Sequence, residues 1–127
     1  MRKLDATVRQ EIAARDDEWV KAARELVNGL QSQDKERQLR NIQSIAEGSN
    51  SWAALALFIR YQAARNELDK QWAEEAIRRL ENLQRDAQSL AASRRADPKA
   101  VHMEIVSRVL GYAVRWHVWD VKGKEAG

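Results

Sequence analysis

Asp97-Pro98-Lys99-Ala100-Val101-His102-Met103-Glu104-Ile105-Val106-Ser107-Arg108-Val109-Leu110-Gly111-Tyr112-Ala113-Val114-Arg115-Trp116 is the stretch that decides the fold class. Asp97 can cap a helix, and proline in the first helical position lacks only a donor that a helix start leaves unpaired. Apolar residues then return at Val101, Ile105, Val109, Tyr112 and Trp116, with Trp119 at the edge, a helical period that predicts one last helix. Pro98 is the only proline, and no stretch alternates apolar and polar residues as a half-buried strand does. The chain reads as all-α.

Upstream, Ser93 to Ala96 is a polar connector. Before it, Trp72, Ala76, Leu80, Leu83, Ala87 and Leu90 make one regular stripe to about Ala92, which predicts a single fourth helix. A third helix opens with Ser51 as cap and carries Trp52, Leu55, Phe58, Ile59 and Tyr61; through Asn66, Leu68 and Asp69 the pattern allows a tight turn or a kink. The Gly48-Ser49-Asn50-Ser51 loop separates it from a second helix that Asp34 can cap, with Leu39, Ile42 and Ile45. Val8, Ile12, Trp19, Ala23, Leu26 and Leu30 predict a long first helix from Thr7 to Gln31, about 36 Å at a helical rise of 1.5 Å per residue. The expectation is one domain, residues 1–127, a compact bundle of about five helices. The first helix packs against the third, fourth and fifth, and the tail frays beyond Asp120.

At 127 residues the chain can bury a real core but is small beside most enzymes. With no cysteine it has no thiol nucleophile and no cysteine-based zinc site, and it fits a reducing cytoplasmic setting. No apolar run approaches a membrane span, so a membrane is not an expected partner. The net charge is only +3, yet 15 arginines stand against 7 lysines. A planar guanidinium grips phosphate oxygens in pairs, which raises the prospect of a nucleic-acid partner.

Chemistry is sparse. His117 sits among Trp116, Val118 and Trp119 as a packed imidazole would, and His102 with Glu104 lacks the spacing of helical metal ligands. Asp16-Asp17-Glu18 points in successive directions around a helix and reads as a solvated face, not an ion site. There is no phosphate-binding glycine loop, nucleophile elbow or dinucleotide fingerprint. No catalysis, metal or cofactor is expected.

Two blocks carry a resemblance. Gln38-Leu39-Arg40 opens one helix, and Tyr61-Gln62-Ala63-Ala64-Arg65 closes the next. In order and separation they resemble the small all-helical subunit of type III CRISPR effector complexes, above all the Csm-type subunit, with the Cmr-type as a relative. That family tends to carry Ser-Gln-Leu-Arg-like and Leu-x-Pro-Lys-Leu-Ala-Tyr-Gln-Ala-Gly-Arg-like segments; Tyr112 to His117 is similar to its aromatic last helix. Leu57 and Phe58 stand where the family has Pro-Lys, which removes one basic contact, while Arg60 adds another nearby. The resemblance implies a non-catalytic subunit that stacks with copies of itself along backbone subunits and holds guide and target RNA through phosphate contacts.

Arg40 and Arg65, at matched positions, are the first RNA contacts implied. Arg60 joins them from its place near the packed stripe. Arg78 and Arg85, seven apart, with Arg79 beside them, form a second candidate row, facing Arg108 and Arg115 on the last helix. Arg94, Arg95 and Lys99 cluster between. The competing reading pairs Arg78 and Arg79 with Glu74, Glu75 and Glu81 at helical spacing. Tyr61 is expected to position its helix. Trp19, Trp72 and Trp116 fall on core stripes, whereas Trp52 after a loop and Trp119 near the end suit a protein interface. Two rival classes are a helical adaptor that binds only protein and a DNA-binding helical protein. For the latter, Glu36 and Glu47 make the second helix a poor reader.

Overall fold

The computed structural model describes residues 4–30 and 33–123. Its helices are α1 (Ala6–Ala13), α2 (Asp16–Val27), α3 (Glu36–Gly48), α4 (Trp52–Ala64), α5 (Lys70–Asn82), α6 (Gln84–Arg94) and α7 (Pro98–Val118). A short 3-10 segment, Asn28–Leu30, follows α2, and a π-helical turn, Trp119–Gly123, follows α7. The all-α class is as read from the sequence.

The centre of the bundle is α7. Asp97 accepts the Lys99 N–H at 3.0 Å and Pro98 occupies the first turn, as its sequence predicts. Because α7 is buried on several faces, Val101, Met103, Ile105, Val106, Val109, Leu110, Ala113 and Val114 all lie in the core, against α2, α3 and α6. Gly111 allows one close approach: a Cβ there would stand 3.1 Å from Nε2 of Gln43 on α3. Each large apolar side chain sealed this way, such as Ile12, Leu39, Ile42 or Ile59, contributes about 2 kcal/mol of burial.

The long first helix does not form. The chain turns at Ala14 and Arg15, although Ala13-Ala14-Arg15 holds no helix breaker. The cause is tertiary. The carbonyl of Ile12, which a continuous helix would pair with the N–H of Asp16, accepts the indole N–H of Trp19 at 2.7 Å and the N–H of Arg15 at 3.1 Å. Asp16, Asp17 and Glu18 then fill the first turn of α2, where the helix dipole favours negative charge. At the other end the 3-10 turn begins where Trp72 donates to the Leu26 carbonyl at 2.8 Å. The expected end at Gln31 lies outside the described residues.

The expected fourth helix breaks by the same device. Leu80's carbonyl pairs with Nε2 of buried His102 at 3.0 Å and with the N–H of Leu83 at 3.3 Å. Continuing the helix would have required that carbonyl for Gln84. Hence α5 ends at Asn82 and α6 starts anew. Between α4 and α5 lies a true turn: Asn66 takes φ 64°, a left-handed conformation asparagine tolerates, and Asp69 caps α5 through the Trp72 N–H at 2.8 Å.

The first helix's segments keep to the expected fourth and fifth helices, and the one packing expectation that changes is its contact with the third. α4 rests chiefly on α3 and α5, while α1 meets α6 and α2 meets α7. Helical geometry continues past Asp120 to Gly123; the rest of the expected tail lies outside the described residues.

Candidate nucleic-acid interface

α3 and α4 form an antiparallel pair joined by a short loop, so the start of α3 meets the end of α4. Gln38 Nε2 donates to Glu67 Oε2 at 3.1 Å across that end. Within the two blocks, Leu39, Gln62 and Ala63 are buried and hold the helices together, while Arg40 and Arg65 stay exposed. Gln62 Oε1 is buried with no hydrogen bond among the described residues. The last turn of α7 closes the same end, because Lys35 N–H donates to His117 Nε2 at 2.9 Å and Lys122 reaches Glu36 at 3.0 Å.

The six arginines singled out from sequence divide unevenly. Arg40 bonds Glu36 one turn earlier at 2.8 Å. Glu36 is also held by Lys122, and these two cations, Arg40 first, keep its carboxyl below the usual range. Arg65 has no ion pair among the described residues; its guanidinium lies 5.4 Å over the ring of Tyr61. Arg60 is forked onto Glu74 of α5 at 2.9 and 3.2 Å, which raises its pKa and lowers that of Glu74. Arg78 is paired with Glu75, and Arg79 with Glu25 at 2.9 Å and Glu75 at 3.2 Å. Arg85 is exposed and unpaired among the described residues, but it sits on α6, beyond the break at Leu83. The spacing that put Arg78 and Arg85 on one face therefore does not hold. Arg94 is tied to Glu11, and Arg108 to Asp16 at 2.6 Å. Within the second row and its neighbours, Arg78, Arg79, Arg94 and Arg108 are thus held in separate ion pairs, and Arg85 stands apart from them. Such exposed pairs are weak and screened by salt, so a phosphate can displace the carboxylate.

Sequence reading missed a surface. Leu57 is 67% exposed and Tyr61 is 53% exposed, although Tyr61 was expected on the packed stripe. At steps of four along α4, Ala53, Leu57, Tyr61 and Arg65 form one exposed row. Its signal was available: α4 is apolar almost all round, more than one buried face requires. Trp119 is 53% exposed, as a surface tryptophan should be. Trp52 is not; it is half-buried, edge-on to His102 with ring centroids 5.3 Å apart.

Trp52 and His102 line a cleft of about 770 Å³ between the first turns of α4 and α7 and the face of α6. Ser49, Asn50, Ser51, Gln84, Gln88 and Lys99 make up its polar wall. Burial lowers the pKa of His102 more than its bond to the Leu80 carbonyl raises it, so the ring is neutral near pH 7. With Nε2–H donated to that carbonyl, Nδ1 is the acceptor nitrogen, and it takes no hydrogen bond from the described residues.

A second cleft, about 530 Å³, is lined by Arg9, Gln43, Glu104, Arg108, Tyr112 and Arg115 among others. Arg9 is bonded to Glu104 at 3.2 Å there, and Arg115 lies 5.3 Å over Tyr112. Among the described residues no cluster of histidine and carboxylate side chains is arranged to hold a metal ion, and no helix is long and apolar enough to cross a membrane. No family model, curated protein or solved structure matches the chain.

Proposed function

We propose that this chain is a non-catalytic, RNA-holding subunit, of the kind its resemblance to the Csm-type small subunit implies. Copies stack along the backbone subunits of an RNA-guided complex and hold the guide–target duplex through phosphates, while base pairing supplies sequence specificity. The observation that carries this reading is the Gln38–Glu67 hydrogen bond, which ties together the two helix ends that bear Arg40 and Arg65. Arg65, stacked on Tyr61 and without a carboxylate among the described residues, is the guanidinium most ready to take a phosphate. Arg40 must release Glu36, which Lys122 then retains. Arg85 is available too, from a separate face. Arg60 and Arg79 serve as cross-links between helices, and Arg78 pairs with Glu75 within α5.

Fluorescence anisotropy with a single-stranded RNA at several salt concentrations tests the reading. Binding that weakens steeply with salt supports it. Absence of binding both by the isolated chain and by its assembly with backbone subunits overturns it.

A second reading has its own support. Leu57 and Trp119 are large apolar side chains left in solvent, as an adaptor that binds only protein would present them. It predicts partner capture that survives ribonuclease and fails on replacing Trp119.

A further inference from the structure

We infer that the cleft between α4, α6 and α7 binds a planar nucleobase, stacked on Trp52 and read at its edge by Gln84, Gln88 and His102. This rests on the RNA reading above for the source of the base, but not for the cleft itself. The cleft's volume of about 770 Å³ is in the range of small-molecule sites. An indole supplies the flat surface on which any base can stack. Gln84 and Gln88 lie one turn apart on α6, so both amides project from one face, and a glutamine amide matches the paired donor and acceptor on the edge of adenine. His102 adds an acceptor nitrogen already fixed in its tautomer by the Leu80 carbonyl. Lys99 is the one charged residue in the lining, which suits a ligand carrying phosphate at its rim.

The cleft also connects with the proposed strand contacts. Ala53 lines it and begins the exposed row through Leu57 and Tyr61 to Arg65. Ala53 and Arg65 are about 18 Å apart along the helix axis at 1.5 Å per residue. One strand laid along α4 therefore reaches both, with its phosphates at the arginine end and one unstacked base in the cleft.

The test titrates the full chain with AMP, with ribose 5-phosphate and with a short oligoadenylate, following the Trp52 indole N–H by NMR, assigned through W52F. AMP should move that resonance saturably in the millimolar range, and ribose 5-phosphate should not. The Gln84→Ala, Gln88→Ala double variant should weaken AMP about tenfold with the backbone spectrum retained. No saturable shift with AMP, or an equal shift with ribose 5-phosphate, overturns the base site. A shift with AMP that oligoadenylate fails to reproduce overturns the strand as source. If the resonance stays still while RNA binding through Arg40 and Arg65 persists, the cleft assignment falls and the RNA reading stands. If AMP binds but no RNA does, the reverse holds.

Discussion

The backbone N–H of Lys35 donates to Nε2 of His117 at 2.9 Å, joining the start of α3 to the end of α7. Only a neutral imidazole can accept there. His117 is fully buried, and desolvation holds its pKa below the ordinary 6.5 despite the opposing charges of Asp34, Asp120 and Glu36. The unfolded chain thus binds more protons than the folded one below that value. The stabilisation is complete above about pH 6.5 and is lost as pH falls toward the folded-state pKa. His102 is shifted the same way and adds to it. The melting temperature should drop between neutral and mildly acidic pH, measured by circular dichroism, and the drop should shrink in His117→Gln. A wild-type melting temperature flat through this window would contradict the assignment.

Trp19→Phe should cost about 1–3 kcal/mol, because it keeps a ring in the core but strips the Ile12 carbonyl of its indole partner. His102→Phe should cost a similar amount through the Leu80 carbonyl. Urea unfolding measures both. A loss under a few tenths of a kcal/mol would mean that the helix breaks do not depend on these bonds.

Arg95 ends α6 with φ 55°, where a side chain is strained and glycine is not. Arg95→Gly should leave the fold intact and raise stability by about 0.5–1 kcal/mol in the same assay. A decrease would show that its side chain makes up for the strain.

Much of the architecture was legible along the chain. The extents of α3, α4 and α7 and the caps at Ser51 and Asp97 follow from local chemistry, although Ile45 and Tyr61, expected on the packed stripes, lie exposed. The breaks at Arg15 and Leu83 were not legible, since each depends on a carbonyl taken by a side chain from elsewhere in sequence: Trp19 in one case, His102 in the other. Two hints went unread. The acidic run Asp16-Asp17-Glu18 is a helix start, and the excess of apolar residues on α4 is an exposed row. For the site, sequence placed Arg40 and Arg65 on helices whose ends meet, but it could not foresee that Arg60 and Arg79 would find Glu74 and Glu25 on neighbouring helices. Helical spacing reports partners on the same helix and is silent about those across a groove.

The most direct measurement compares two double variants, Arg40→Ala with Arg65→Ala and Arg60→Ala with Arg79→Ala, in the salt dependence of single-stranded RNA binding. Removing two phosphate contacts should reduce the slope of log K against log salt by about 1.4, at roughly 0.7 per contact, and removing two helix cross-links should leave it nearly unchanged. Equal slopes in the two variants, or a larger loss in the second, would contradict the assignment of strand binding to the end where α3 begins and α4 closes.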